Sequence, residues 1–371
     1  MDAHRFDVIV IGAGIAGATT AAHLAKHFRV GLIEMEESAG YHTTGRSAAI
    51  WMLNYGPPDV RLMTGGSREF FEHPPEGFAD VPLMQRRAVV HLAPPGEEAM
   101  LAEKIAASDG TITPIPVAEV LAMAPGLRPD YAVAAAIEPE SFDMDVAALH
   151  QGYLKLLRAR GGQIGLRSRA GQIWQQGGLW RVTTAHGETL GAEVLVNAAG
   201  AWGDELAVIA GVPPIGLQPK RRTAIVIDPA PYEVADWPLL GDVAHTWYAR
   251  PEARRKLMVS PADEIDSPAT DAQPDELDVA ITADRFSQAF NIDVRRIEHS
   301  WAGLRSFTPD RSFALGEEAS RPGFFWAVGQ GGYGIQTAPA AGRLLAGLIR
   351  GEVPAELQRI VPMVDPMRFR K

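Results

Sequence analysis

Phe6–Glu36, FDVIVIGAGIAGATTAAHLAKHFRVGLIEME, is the stretch on which the reading of this chain turns. Asp7 to Ile11 is a short apolar, β-branched run, and an alanine-rich helical stretch from Ala16 to His27 follows it. Between them Gly12, Gly14 and Gly17 hold the G-x-G-x-x-G spacing. Gly12 permits a tight turn, Gly14 lets backbone approach a pyrophosphate, and Gly17 lets the helix pack closely on the strand, with the phosphates at the helix's positive end. Val30 to Ile33 reads as a second strand. Glu34 ends it, where a carboxylate accepts both ribose hydroxyls of an adenosine and repels the 2′-phosphate of NADP. The stretch therefore predicts a Rossmann-like dinucleotide site.

Composition narrows what surrounds that site. A chain of 371 residues, 46% of them hydrophobic, has material for about two to three domains and an ample core. It contains no cysteine, which excludes disulfides, thiolate catalysis, thiolate metal sites and a flavin tethered through sulfur. No metal site is read elsewhere. The net charge of -10 argues against a nucleic-acid partner and for a small-molecule substrate. No run approaches the roughly 20 apolar residues that span a bilayer. With no signal-peptide pattern, the mature chain is expected to start at or near Met1 in the cytoplasm, with peripheral contact to the inner membrane left open.

Further along, Tyr41 to Ala49 is small and hydroxyl-rich, suited to backbone running beside a ligand. Asp59 can cap a helix reaching about His73, and short helices are read at Glu97 to Ser108 and Val117 to Met123. Asp143 and Asp145 offer caps for a core helix that Gly161-Gly162 stops. Gln172 to Gln175 and Trp180 to Thr184 form a hairpin across Gly177-Gly178, and Glu193 to Asn197 a buried strand. Strands are expected near Ala224 to Ile227 and His245 to Ala249, a helix near Ile281 to Phe290, and a frayed Arg-rich tail from Met367 to Lys371. The closing strand Phe324 to Val328, the turn Gly329–Gly334 and the helix from Ile335 to Arg350 repeat the logic of the N-terminal stretch. Two such devices suit one long cofactor supported at both its pyrophosphate and its ring, which is FAD.

Six blocks in this order, G-A-G-I-A-G, G-Y-H-T-T-G-R-S-A-A, V-N-A-A-G-A-W, Q-P-K-R-R, W-A-G-L-R-S-F and Q-G-G-Y-G-I-Q-T, resemble the bacterial FAD-dependent D-arginine dehydrogenases of the D-amino-acid oxidase and dehydrogenase superfamily. The resemblance covers nearly the whole chain. It implies an α/β protein with an FAD-binding domain assembled from residues 1–55, 143–222 and 298–371, and a substrate domain on an antiparallel sheet from residues 56–142 and 223–297. The cofactor wall it implies takes Ile15 and Ala16 beside the glycines, Met35 beside Glu34, and Thr44, Gly45, Arg46, Ser47 and Ala48 from the second block. Ala199, Gly200 and Trp202 come from the third, and Gly331, Gly332, Gly334, Ile335, Gln336 and Thr337 from the last. FAD is held non-covalently in these relatives, although His42 stands where some sarcosine-type relatives carry a tether.

The roles implied for the reaction are a substrate-carboxylate grip by Arg222 and Arg305, pocket closure by Tyr55 and Tyr248, and a hold on the substrate amine by the Gly332 carbonyl. A planar, always-charged guanidinium suits that grip. The implied reaction is oxidative deamination of a D-amino acid: hydride passes from the α-carbon to flavin N5, and water hydrolyses the imine to a 2-oxo acid and ammonia. The electron acceptor, a quinone or oxygen, stays open, so an oxidase is not excluded. The arginine-specific relatives pair the substrate guanidinium with an acid, but Pro82–His91 here holds no carboxylate, and Ile50 and Met52 stand at pocket positions. Neutral or apolar D-amino acids are therefore expected over D-arginine. Two alternatives stay open: an FAD oxidoreductase of another small carboxylate, N-methylglycine or a 2-hydroxy acid, and a non-catalytic flavoprotein subunit.

Overall fold

The structure is a computed structural model that describes residues 5–253 and 255–370. Val8–Ile11 lies inside a six-stranded sheet, parallel to Val30–Ile33 on one side and to Val194–Asn197 on the other. Phe324–Val328 and Gln163–Gly165 extend it in parallel, and Ala314–Glu317 closes one edge antiparallel. The central strands are buried on both faces, which is why they read as unbroken apolar runs. Val8 and Val10 point into a core shared with the helices Ile15–Leu24, Val146–Ala159 and Gly334–Arg350. Ile9 and Ile11 face the other way, onto the three-stranded hairpin sheet of Ala170–Gln176, Leu179–Thr184 and Thr189–Ala192. The helices Ile15–Leu24 and Gly334–Arg350 approach so closely that a Cβ on Gly342 would lie 2.2 Å from the Thr19 hydroxyl oxygen.

The second sheet has nine strands, and most neighbours are antiparallel as expected. One pair differs: Leu239–Asp242 runs parallel to Val89–Ala93, joining two segments far apart in sequence. Gln218–Ile227 and Ile297–Phe307 pair antiparallel along their length and cross two of the four expected domain boundaries, those at 222/223 and 297/298. Side chains alternate across this sheet. Val90, Leu92, Leu240, Ala249, Val259 and Ile225 pack beneath the helix Glu276–Ala289. Val89, His91, Leu239, Gly241 and Tyr248 consequently face the opposite side, where the cavity lies.

Local signals account for most boundaries. Asp145 caps its helix by accepting from the Ala148 amide at 2.8 Å. Asp275 caps another by accepting from the Leu277 amide, so the helix expected from Ile281 starts at Glu276. Two expectations need correction. Asp59 does not cap the helix Pro58–Glu72; it is buried inside the first turn and accepts from the Ser312 hydroxyl at 2.9 Å. The Arg-rich tail is not frayed through residue 370, because Arg368 bonds Asp310 and Arg370 bonds the buried Glu318 and the carbonyls of Pro213 and Pro214. Lys371 lies outside the described residues. Among those described, no helix is long and apolar enough to cross a membrane.

Candidate active site

A single cavity of about 720 Å³ runs from the glycine turn after Val8–Ile11 to the inner face of the nine-stranded sheet. At its first end the backbone forms a cradle that side chains would fill. Gly12 has φ +104°, and a Cβ there would lie 2.4 Å from the Ala198 carbonyl oxygen. On Gly17 a Cβ would lie 1.8 Å from the Gly12 carbonyl oxygen, so this glycine serves helix packing and stands behind the wall. Glu34 is buried at the end of its strand, and its carboxylate accepts from the amides of Ala13 at 2.7 Å and Glu36 at 3.1 Å. Thr44 accepts from the Ile15 amide at 2.9 Å, tying the second motif to the helix N-terminus. Bare backbone, a helix N-terminus and a fixed carboxylate at one cavity end fit the pyrophosphate and adenosine ribose of FAD.

The middle of the cavity is walled by the remaining motif blocks. Ala16, Met35, Arg46, Ser47, Ala48, Ala199, Gly200 and Trp202 line it, as do Gly331, Gly334, Ile335 and Gln336. Arg46 donates to the carbonyls of Ala272 and Ala302 and pairs with Asp271, bracing a strap over the motif. His42 meets Glu36 through Nε2 at 2.9 Å and packs against Trp202, ring centres 4.7 Å apart. Gly45 and Thr337 are not in the wall. Gly45 sits where a Cβ would meet the Gly40 carbonyl oxygen at 2.7 Å, and the buried Thr337 hydroxyl donates back to Tyr333 within its helix.

The far end brings Tyr55, Arg222, Tyr248, Arg305 and Gly332 together. Arg305 Nη1 donates to the Tyr55 hydroxyl at 3.1 Å. A Cβ on Gly332 would lie 2.9 Å from Arg305 Nη1, so the bare residue is what lets the guanidinium reach the turn. Arg222 donates through Nε to the Asp263 carbonyl at 2.6 Å and faces Glu264 at 3.4 Å. Burial lowers the Arg222 pKa, and the like charge of Arg305 adds to this. Burial alone would raise the Tyr248 pKa, but the Arg305 and Arg222 guanidiniums outweigh it and hold the phenol below its ordinary value. Two guanidiniums and two phenols converging in a half-buried pocket make an anion subsite.

Beside that subsite Met52, Val89 and Leu239 form an apolar cluster, with Ile50, Tyr55 and Tyr248 against it. Gln336 grips the same segment, accepting from the Met52 amide and donating to its carbonyl, both at 3.3 Å. Several lining residues carried no role in the sequence: His91, Asp242, His245, Glu264 and Arg311. Arg311 pairs with Glu264 at 2.9 Å and lies over the Phe307 ring. None of these stands in a spaced motif: His91 and Asp242 arrive on strands of the nine-stranded sheet, and His245, Glu264 and Arg311 on the loops beside it.

The family model described as FAD dependent oxidoreductase, DAO, matches residues 7–348. The chain is similar to the FAD-dependent oxidoreductase domain-containing protein 1 of Xenopus laevis, 25% identical over 182 residues, which are 44% of this chain and 36% of that protein. It thus spans about a third of the length of the first curated relatives it matches. It is also similar to the glycine oxidase of Pseudomonas aeruginosa, 27% identical over 94% of this chain and 95% of that one. In structure it resembles the L-proline dehydrogenase from P. horikoshii, with a TM-score of 0.84, 22% identity, and coverage of 99% of this chain and 98% of the other.

Proposed function

Because the chain belongs to the FAD dependent oxidoreductase family, DAO, we propose that it oxidatively deaminates small amino acids, with neutral or apolar D-amino acids as its substrates. The observation that carries this reading is the convergence of Arg305 and Arg222 at one end of the cavity whose other end is the Gly12–Gly17 cradle and Glu34. A carboxylate bound between the two guanidiniums receives charge-assisted, fork-shaped hydrogen bonds. Tyr55, held by Arg305, covers it and keeps water out. The Gly332 carbonyl accepts from the substrate amine, the role that the motif resemblance implies for it, and this orients the α-carbon. FAD, when bound, supplies the two-electron acceptor. The substrate loses two electrons and two protons across its N–Cα bond, and water converts the resulting imine to a 2-oxo acid and ammonia.

The Met52–Val89–Leu239 cluster supports neutral or apolar side chains, as does the lack of an acid in residues 82–91. The D preference rests on the resemblance of the six motif blocks to the D-arginine dehydrogenases. The test is turnover of the FAD-loaded protein with a dye acceptor, on a panel of D- and L-amino acids, glycine, N-methylglycine, proline and 2-hydroxy acids, with the 2-oxo acid and ammonia measured. The expected result is highest kcat/KM for apolar D-amino acids. Turnover restricted to N-methylglycine or 2-hydroxy acids, or highest with D-arginine, would overturn the reading.

A further inference from the structure

The register of the nine-stranded sheet sets His91 opposite Gly241, and Gly241 opposite Tyr248, in one row on the cavity face. Neighbouring strands lie about 4.8 Å apart, so His91 and Tyr248 flank a floor about 10 Å wide whose middle residue has no side chain. A Cβ on Gly241 would rise 3.0 Å from the Trp247 carbonyl oxygen and 3.2 Å from the Tyr248 Cβ. Met52, Val89 and Leu239 wall this trough with apolar surface. Its near end is the Tyr248–Arg222 anion subsite, and its far end is an imidazole.

That imidazole has a carboxylate behind it. His91 is 3% exposed and lines the cavity, and its buried Nε2 is the ring nitrogen turned toward Glu138, which leaves Nδ1 as the nitrogen that can meet a ligand. Glu138, 1% exposed, leaves Oε2 without a partner 3.7 Å from Nε2. The other Glu138 oxygen is fixed, accepting from Asn54 Nδ2 at 2.8 Å and from the Asn54 amide at 3.3 Å. Burial lowers the His91 pKa, Glu138 opposes that, and Lys104 on the helix Glu98–Ala106 adds to it. His245 and Asp242 face the same end of the cavity, the Asp242 carboxylate already accepting from the amide and hydroxyl of Thr246. A neutral imidazole backed by a carboxylate takes a neutral hydrogen-bonding group and disfavours an anion.

We propose that His91, backed by Glu138, is a specificity-determining residue that receives the hydrogen-bonding end of the substrate side chain. The preferred substrates are then amino acids whose apolar side-chain stem ends in a neutral polar group such as a hydroxyl or an amide. This deepens the proposed function and rests on its placement of the substrate carboxylate at Arg305 and Arg222.

The test uses two carboxylates that lack the reacting amine, 3-phenylpropanoate and 3-(4-hydroxyphenyl)propanoate, bound to the FAD-loaded protein and followed by perturbation of the visible flavin spectrum. The phenolic ligand is expected to bind about threefold to tenfold tighter than the plain one, the yield of one net hydrogen bond. His91→Leu should erase that difference without weakening 3-phenylpropanoate, and His91→Gln should restore part of it. Arg305→Met should weaken both ligands alike. Equal affinities in the parent protein overturn the inference without need of any variant, as does a difference that survives in His91→Leu; in either case weakening of both ligands by Arg305→Met leaves the carboxylate reading standing. If Arg305→Met weakens neither ligand, the carboxylate reading has failed and this inference falls with it.

Discussion

Replacing Arg305 with Met removes the guanidinium while keeping most of the side-chain volume. In the structure Arg305 has one hydrogen-bond partner among the described residues, Tyr55 at 3.1 Å, so most of its fork is free for a ligand. Arg222 is more committed, since Nε is taken by the Asp263 carbonyl and Nη2 faces Glu264. Arg305 should therefore carry the larger share of carboxylate binding. Truncating one partner of a buried, hydrogen-bonded ion pair costs about 3–5 kcal/mol. With Arg222 still in place the lower end applies, about 3 kcal/mol, or roughly a hundredfold in kcat/KM at about 1.4 kcal/mol per tenfold. Arg305→Lys keeps the charge but loses the fork and should fall between the two. The assay is steady-state turnover of the best D-amino acid, with FAD content and melting temperature measured on each variant. A variant that holds FAD, melts like the parent and retains kcat/KM within a few-fold would refute the carboxylate grip.

Three further outcomes follow from other parts of the cavity. Gly12→Ala forces a side chain onto a backbone at φ +104° and against the Ala198 carbonyl; the strain alone is worth about 1–3 kcal/mol, and thermal melting should drop together with FAD content. Glu34→Gln removes the charge that accepts from the Ala13 and Glu36 amides and would meet the ribose, so FAD affinity by fluorescence titration should fall about tenfold or more, while NADP should not replace it. His23 has its pKa lowered to about 4 by burial, with Arg160, Arg343 and Lys26 adding to it. The unfolded chain then binds a proton that the native state refuses, so stability is lost as pH falls from about 6.5 toward 4, by up to about 3 kcal/mol. In His23→Leu the acid limb of urea denaturation midpoints against pH should flatten, and an unchanged limb would contradict the assignment.

What could be read from the sequence was what local physics decides. The strands Val30–Ile33 and Phe324–Val328 and the helix Val117–Met123 stand where apolar period and punctuation put them. Glycines that need bare backbone, Gly12 above all, announce themselves by spacing. What the sequence hid are matters of long-range pairing. Nothing local shows that Leu239–Asp242 lies parallel to Val89–Ala93, yet that pairing puts Gly241 beside His91 and creates the trough. In the charged run Lys220 to Arg222, strand alternation sends Arg222 to the cavity and Arg221 to Asp278 at 2.7 Å, two fates that composition cannot separate. Asp59 looked like a cap and is a buried acceptor. The tail looked frayed because the partners of Arg368 and Arg370, Asp310 and Glu318, lie more than 50 residues away.

The central claim is that electrons leave the α-carbon of an amino acid gripped at Arg305 and Arg222. Its most direct test is anaerobic mixing of the FAD-loaded protein with the two enantiomers of an apolar amino acid such as phenylalanine, following the visible flavin band. The account expects bleaching by the D-enantiomer, its loss or strong slowing in Arg305→Met, and none by the L-enantiomer. Bleaching by the L-enantiomer alone would contradict the D preference, and no bleaching by any amino acid, with FAD fully bound, would contradict the account as a whole.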